Sequence, residues 1–84
     1  MIRSIDYPQP RDVWKHYKGG VYRILTTAYH TETEQMMVVY HLAYGGGEVW
    51  VRPLDIFMGL AGADEHGNPR PRFELVPNFD EMNP

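Results

Sequence analysis

Length, composition and charge limit what this protein can be. The chain has 84 residues, no cysteine and a net charge of −3. A chain this short folds as one domain with one modest core. Without cysteine it has neither disulfides nor a thiolate zinc site, so we expect a reducing cytoplasm. No stretch approaches the roughly 18 apolar residues of a membrane span, and we expect no membrane association.

The charge is distributed unevenly. Residues 1–23 carry five basic and two acidic side chains, whereas the remainder carries three basic and nine acidic ones. An anion would therefore meet the first quarter of the chain. Because no dense basic run is present, the simpler interpretation is a solvated surface.

The first predicted elements form a hairpin. A double glycine precedes the strand predicted over Val21–His30, and a second strand is predicted over 35–44. The four residues between them favour a type I turn with Glu34 in the left-handed position, which would pair Thr31 with Gln35.

The same register predicts which residues face each other farther along. A third strand over 48–52 places Trp50 beside Leu42 and Arg52 beside Tyr40. Both faces of the predicted sheet are substantially apolar, which favours strands that curl into a small barrel.

Shorter elements complete the pattern. Residues 54–58 carry apolar side chains at helical spacing and predict one helical turn that plugs the barrel. Residues 62–71 predict a polar loop, and the alternation over 72–76 predicts a strand that closes the sheet. We therefore expect an extended lead-in over 1–12, a β-barrel domain over 13–76 and a flexible tail without regular structure over 77–84.

Several spaced motifs together resemble one family. They are His16-Tyr17-Lys18-Gly19-Gly20, Tyr22, Ala28-x-His30-x-Glu32-Thr33, Val38-Val39-Tyr40, Trp50-Val51-Arg52-Pro53, Phe57 and Pro71-Arg72-Phe73. Over residues 13–76 the chain resembles the bacterial and phage family catalogued as domain of unknown function 1653. The resemblance implies an SH3-like β-barrel of about five strands, with a short helical turn after the third long strand, and implies no established activity.

One position departs from that family, which tends to have glycine where this chain has Glu34. A residue with a Cβ in the left-handed conformation costs on the order of 1 kcal/mol, so we expect a strained or altered turn.

The residues argue against catalysis. The single serine, Ser4, lies in the lead-in and cysteine is absent, so nucleophilic catalysis is nearly excluded. His30 and Glu32 flank one turn and carry the remaining enzymatic hypothesis, acid–base chemistry; the simpler interpretation is a histidine that hydrogen-bonds the turn. Two such ligands fall short of the three or four that zinc needs, so we expect no metal and no other cofactor.

Binding is the class that the residues favour. One predicted face collects aromatic rings with a cation among them, which is typical of recognition surfaces. The alternative is that the rings form the core and Arg52 pairs with a carboxylate. The candidate ligand-binding residues are Tyr17, Tyr22, His30, Glu32, Tyr40, Trp50 and Arg52.

The leading hypothesis is a non-catalytic module, monomeric or weakly dimeric, that binds a partner protein or peptide. The net acidity favours it over nucleic acid. The alternative is binding of RNA or single-stranded DNA through the basic N-terminal segment and exposed aromatic rings. A small-ligand enzyme that uses His30 as acid or base is the third hypothesis.

Overall fold

The computed structural model describes residues 7–82 and is mainly β. Its elements, in chain order, are β1 (Val13–His16), β2 (Val21–His30), β3 (Gln35–Leu42), β4 (Trp50–Pro53), α1 (Leu54–Phe57), β5 (Leu60–Ala63), β6 (Pro69–Pro71), β7 (Phe73–Leu75) and α2 (Phe79–Met82). Five strands form an antiparallel sheet in the order β4-β3-β2-β1-β7, and β5 pairs with β6 in a separate two-stranded sheet. No helix within residues 7–82 is long and apolar enough to cross a bilayer.

Over the described residues the five-stranded sheet is open. Strand β7 pairs with β1 at one edge, and β4 is the opposite edge. The segment 72–76 therefore does supply a strand, but that strand extends the sheet and does not close it. The mainly β class and the short helical turn after the third long strand are confirmed, whereas a closed barrel is not.

The β2–β3 hairpin has the predicted left-handed residue but a longer loop and a different register. Glu34 has a φ of 57°, in the left-handed region as expected. Its backbone N–H donates to the carbonyl of His30 at 2.8 Å, and His30 faces Gln35. The loop is thus one residue longer than predicted, and the proposed pairing of Thr31 with Gln35 is wrong.

A β-bulge at Leu25 adds a second one-residue shift. Beyond it Ile24 faces Tyr40, whereas Thr26 faces Val39. A shift of one residue turns side chains to the other face, and a shift of two restores it. Strand β3 and the part of β2 up to Ile24 therefore keep their predicted faces, whereas residues 26–30 of β2 change theirs.

Strand β4, which corresponds to the strand predicted over 48–52, is also shifted by two residues relative to the prediction. Trp50 faces Tyr40 and Arg52 faces Val38, two positions away from the predicted partners Leu42 and Tyr40. Because the shift is two, Trp50 and Arg52 still share the face of Tyr40.

The core lies on one face of the sheet and is largely aromatic. Phe57, fully buried, projects from α1 and stacks on Phe73 with ring centroids 3.9 Å apart, and Trp14 meets Phe57 edge-on at 5.6 Å. The buried cluster comprises Trp14, Ile24, Val38, Tyr40, Phe57 and Phe73. The predicted helical turn thus supplies the ring that completes the core.

Two further expectations need correction. The predicted loop over 62–71 contains strand pairing, because Leu60 faces Pro71 and Ala63 faces Pro69. The segment after Pro77 contains the helical turn α2, so it does not lack regular structure. The two glycines and two prolines of residues 62–71 indicated a loop and so concealed the strand pairing. Helix α2 was not recognised because four residues have too little periodicity.

The lead-in contacts the sheet where the bulge interrupts pairing. The N–H of Arg11 donates to the carbonyl of Ile24 at 2.9 Å, and the N–H of Ile24 donates to the carbonyl of Asp12 at 2.8 Å. Residues 7–12 contain no helix or strand. Residues 1–6 and 83–84 of the predicted lead-in and tail lie outside the described residues.

Candidate ligand-binding site

One end of the core face opens into a cavity of about 360 Å³ that we call the basic aromatic pocket. It lies where β1 ends and β2 begins, where β4 pairs with β3, and where the chain enters β7. Its lining residues are His16, Tyr17, Lys18, Gly20, Tyr22, Tyr40, Trp50, Arg52, Arg72 and Phe73. The lining contains three cationic side chains and no carboxylate.

The tight turn between β1 and β2 forms one wall. The N–H of His16 donates to the carbonyl of Gly20 at 2.7 Å, and Gly19 adopts a φ of 108°, which favours glycine. A Cβ on Gly20 would lie 2.7 Å from the hydroxyl oxygen of Tyr22. The double glycine therefore serves both the reversal and the close packing of the Tyr22 ring against the turn.

Aromatic rings connect the pocket to the core. Tyr22 meets Tyr40 edge-on at 5.3 Å and lies 5.8 Å from Trp50, measured between ring centroids. Tyr40 is buried, whereas Trp50 is 41% exposed and donates its Nε1–H to Glu48 at 3.2 Å. The cluster therefore has a fixed inner part and an accessible outer ring. Burial raises the pKa of Tyr40, and the charge of nearby Arg52 opposes that rise in part.

Three cations from separate segments reach this pocket. Lys18 comes from the β1–β2 turn, Arg52 from β4 and Arg72 from the residue before β7. The Arg52 guanidinium lies over the ring of Phe73 at 5.4 Å, not over Tyr40 as the predicted register implied. Within residues 7–82 none of the three cations forms an ion pair.

Among the described residues, the Arg72 side chain has one hydrogen-bond partner, a backbone carbonyl. Its Nη2 donates to the carbonyl of Leu60 at 3.4 Å, and its buried Nε finds no hydrogen-bond partner among the described residues. Leaving that buried Nε–H without a partner costs free energy. A guanidinium has five N–H donors, and within residues 7–82 only one of them is used, so the Arg72 side chain can donate further hydrogen bonds.

The pKa of His16 depends on burial and on the charges around the pocket. Burial lowers its pKa below 6.5, and the charges of Arg52, Arg72 and Lys18 lower it further. Its Nδ1 accepts a hydrogen bond from the backbone N–H of Lys18 at 3.1 Å. That bond places the proton of the neutral ring on Nε2, so His16 is an uncharged donor near neutral pH.

The structure brings together most of the predicted site residues. Five of the seven line the basic aromatic pocket, namely Tyr17, Tyr22, Tyr40, Trp50 and Arg52. His30 and Glu32 do not, because they lie beyond the bulge at the hairpin tip. There His30 Nδ1 accepts the backbone N–H groups of Glu32 and Thr33, each at 3.2 Å, as the simpler interpretation proposed.

Five lining residues were missing from the predicted site: Gly20, Phe73 and the three with ionisable side chains, His16, Lys18 and Arg72. The motif around the double glycine indicated a special turn, but it did not show that this turn meets β4 and β7 in space. Elsewhere, residues 7–82 contain no cluster of three or more histidine, aspartate or glutamate side chains that could hold a metal.

The fold and pocket define a small, open-sheet β domain with a basic aromatic cavity. A family model described as a protein of unknown function (DUF1653) matches residues 12–75, and the chain belongs to this family. A crystal structure of a DUF1653 protein from Bordetella bronchiseptica is similar, with 32% sequence identity and a TM-score of 0.67. The similarity covers 84% of this chain and 88% of that one. No curated protein matches the chain.

Proposed function

We propose that this protein is a non-catalytic binding module that recognises a partner protein or peptide by taking one anionic group of the partner into the basic aromatic pocket. The observation that carries the proposal is the presence of Lys18, Arg52 and Arg72 around one cavity without a carboxylate in its lining. Like charges held together repel, and an anion relieves that repulsion.

The shape of the charge distribution favours a compact anionic group over a long polyanion. Proteins that follow a single strand of nucleic acid need a positively charged groove along several nucleotides. Here the cations meet at one cavity in a chain of net charge −3. The neighbouring cavity contains Glu74, and Glu48 contacts the exposed Trp50. A single carboxylate or phosphate on a peptide suits this arrangement best.

A second candidate is the end of a single-stranded RNA or DNA. The accessible ring of Trp50 beside Arg52 is the feature that favours it, because bases stack on such rings next to a phosphate contact. The enzymatic alternative with His30 receives no such support, since His30 is engaged with the turn and lies apart from the pocket.

Selection from a random phage-displayed peptide library tests the proposal. We expect the selected peptides to share an acidic or otherwise anionic residue and to bind the wild-type protein. Arg52→Met keeps most of the aliphatic stem over Phe73 but removes the charge and donors, so it should melt near the wild-type temperature and bind at least tenfold more weakly.

Lys15→Met is the matched control, because Lys15 is exposed in β1 and lies outside the pocket lining. Salt dependence separates the two macromolecular candidates. A peptide with one anionic group should give a shallow dependence of log Kd on log salt, whereas an oligonucleotide contacting several phosphates gives a steep one, with a slope of about 0.7 per phosphate. Peptides without an anionic residue, or equal effects of the two variants, would contradict the proposal.

A further inference from the structure

The number and kind of donors in the basic aromatic pocket distinguish between anions. A carboxylate carries one negative charge on two oxygens, and a single arginine fork satisfies both. The pocket offers two arginines, one lysine and the neutral His16, and within residues 7–82 none of the three cations is neutralised by an ion pair. This donor set exceeds what one carboxylate uses.

A phosphate monoester matches that set better. It carries a charge of about −1.5 to −2 near neutral pH and three acceptor oxygens. Its charge would offset most of that of Lys18, Arg52 and Arg72. Its oxygens would accept from the arginine forks, the ammonium group and the Nε2–H of His16, whose other nitrogen is already engaged at 3.1 Å by the Lys18 backbone.

The rest of the lining indicates what carries the phosphate. Aromatic rings line the pocket beside the cations, and Trp50 keeps 41% of its surface accessible at the edge strand. Tyr17 is half-buried and also lines the pocket, with its ring centroid 4.5 Å from that of His16. A cavity of about 360 Å³ has room for one ring with one phosphoryl group and is too small for a long ligand.

We infer that the basic aromatic pocket takes an aryl phosphate, presented as a phosphotyrosine side chain of a partner peptide. The inference rests on the proposed function and specifies its anion. The phosphoryl group lies among Lys18, Arg52, Arg72 and His16, and the ring packs on the exposed side chain of Trp50. No covalent step is involved.

Four blocked peptides of one alanine-glycine sequence test the inference, with phosphotyrosine, phosphoserine, glutamate or tyrosine at the central position. Binding is measured by isothermal titration calorimetry. We expect phosphotyrosine to bind at least tenfold more tightly than glutamate and tyrosine, and phosphoserine to bind more weakly than phosphotyrosine because it lacks the ring. Arg52→Met and Arg72→Met should each weaken the phosphotyrosine peptide at least tenfold, and Lys15→Met less than twofold.

The other outcomes separate the inference from the proposed function. Equal affinities for the glutamate and phosphotyrosine peptides would overturn the phosphate assignment and leave an anion-binding module. Equal affinities for phosphoserine and phosphotyrosine would overturn the aryl assignment. Tighter binding of a 5′-phosphorylated thymidine dinucleotide would overturn the peptide assignment in favour of a nucleic-acid end. Failure of all of these probes at millimolar concentration would overturn both the inference and the proposed function.

Discussion

Glu34 occupies a backbone conformation that glycine adopts without cost. Its φ of 57° follows from the four-residue loop, which needs a left-handed residue before β3 begins. The strain was expected from the sequence because the resembling family tends to have glycine there. The structure shows Glu34 in the left-handed conformation, which is strained for a residue with a Cβ.

Glu34→Gly should therefore raise the free energy of unfolding by up to about 1 kcal/mol, measured by urea denaturation. Glu32→Gly is the control, because it removes the same charge from the same loop at a residue without positive φ. It should leave stability unchanged or lower it. An unchanged midpoint for Glu34→Gly would mean that the left-handed position carries no strain.

His16 provides a pH-dependent test of the pocket. Its pKa is lowered from 6.5, so the unfolded chain takes up the proton first as pH falls. The contribution of His16 to stability is thus complete above pH 6.5 and is lost as pH falls below that value toward the lowered pKa. NMR titration of the His16 ring should show a midpoint below 6.5.

Arg52→Met should raise that midpoint, because one of the charges that lower the pKa is removed. Lys15→Met, whose charge is not among them, should leave it in place. A His16 midpoint at or above 6.5 in the wild-type protein, or one that ignores Arg52→Met, would mean that the cations do not meet at His16.

Helix α1 is short but contributes a fully buried aromatic ring to the core. It has four residues, too few for a helix to be stable alone, and it is held by the burial of Phe57. Phe57 contacts Trp14, Tyr40 and Phe73, so it joins three strands.

Phe57→Ala should lower the free energy of unfolding by about 3–5 kcal/mol, since it leaves a cavity among aromatic rings. Ile56→Ala tests the same helix without the core, because Ile56 is 47% exposed, and its effect should be much smaller. Thermal or urea denaturation compares the two. Equal losses would contradict the conclusion that burial of the Phe57 ring holds α1.

Helix α2 is attached to the side of the sheet opposite the core by contacts with Arg23 and by its Phe79 ring, whose centroid lies 5.7 Å from that of Tyr44. Arg23 pairs with Asp80 at 2.7 Å, and the Arg23 guanidinium lies 5.9 Å from the Phe79 ring centre. Hydrogen bonding from Arg23 lowers the pKa of Asp80 below 3.8. The ion pair therefore holds at neutral pH and is lost on acidification through that lowered pKa.

Asp80→Asn should speed amide hydrogen exchange in Phe79–Met82 while protection in β2 and β3 stays as in the wild type. Glu81→Gln, which removes a neighbouring charge without touching Arg23, is the control. If exchange in α2 is the same in all three proteins, the ion pair does not hold the helix.

For the whole molecule, the features that local sequence pattern predicts differ from those that depend on the bulge and on long-range pairing. The spans of β2 and β3, the Glu34 conformation and the common face of Tyr22, Tyr40 and Trp50 follow from local pattern. Strands β1, β5 and β6 were not predicted, because each is short and its pairing partner is not evident from local pattern. Leu25 looks like any other strand residue, so the bulge could not be predicted, and His30 was assigned to the wrong face. The sheet order that brings Arg72 beside β1 depends on long-range pairing, which no local pattern contains.

The most direct test of the central claim, that one basic aromatic pocket binds an anion, is titration of the ¹⁵N-labelled protein with sodium sulfate at constant ionic strength. Sulfate is a dianion that presupposes neither a peptide nor a phosphate. We expect saturable NMR shifts at His16, Lys18 and Arg72 and at the Trp50 indole, which Arg52→Met weakens and Lys15→Met does not. Shifts that fail to saturate, or that spread evenly over the basic residues including Lys15, would contradict the claim.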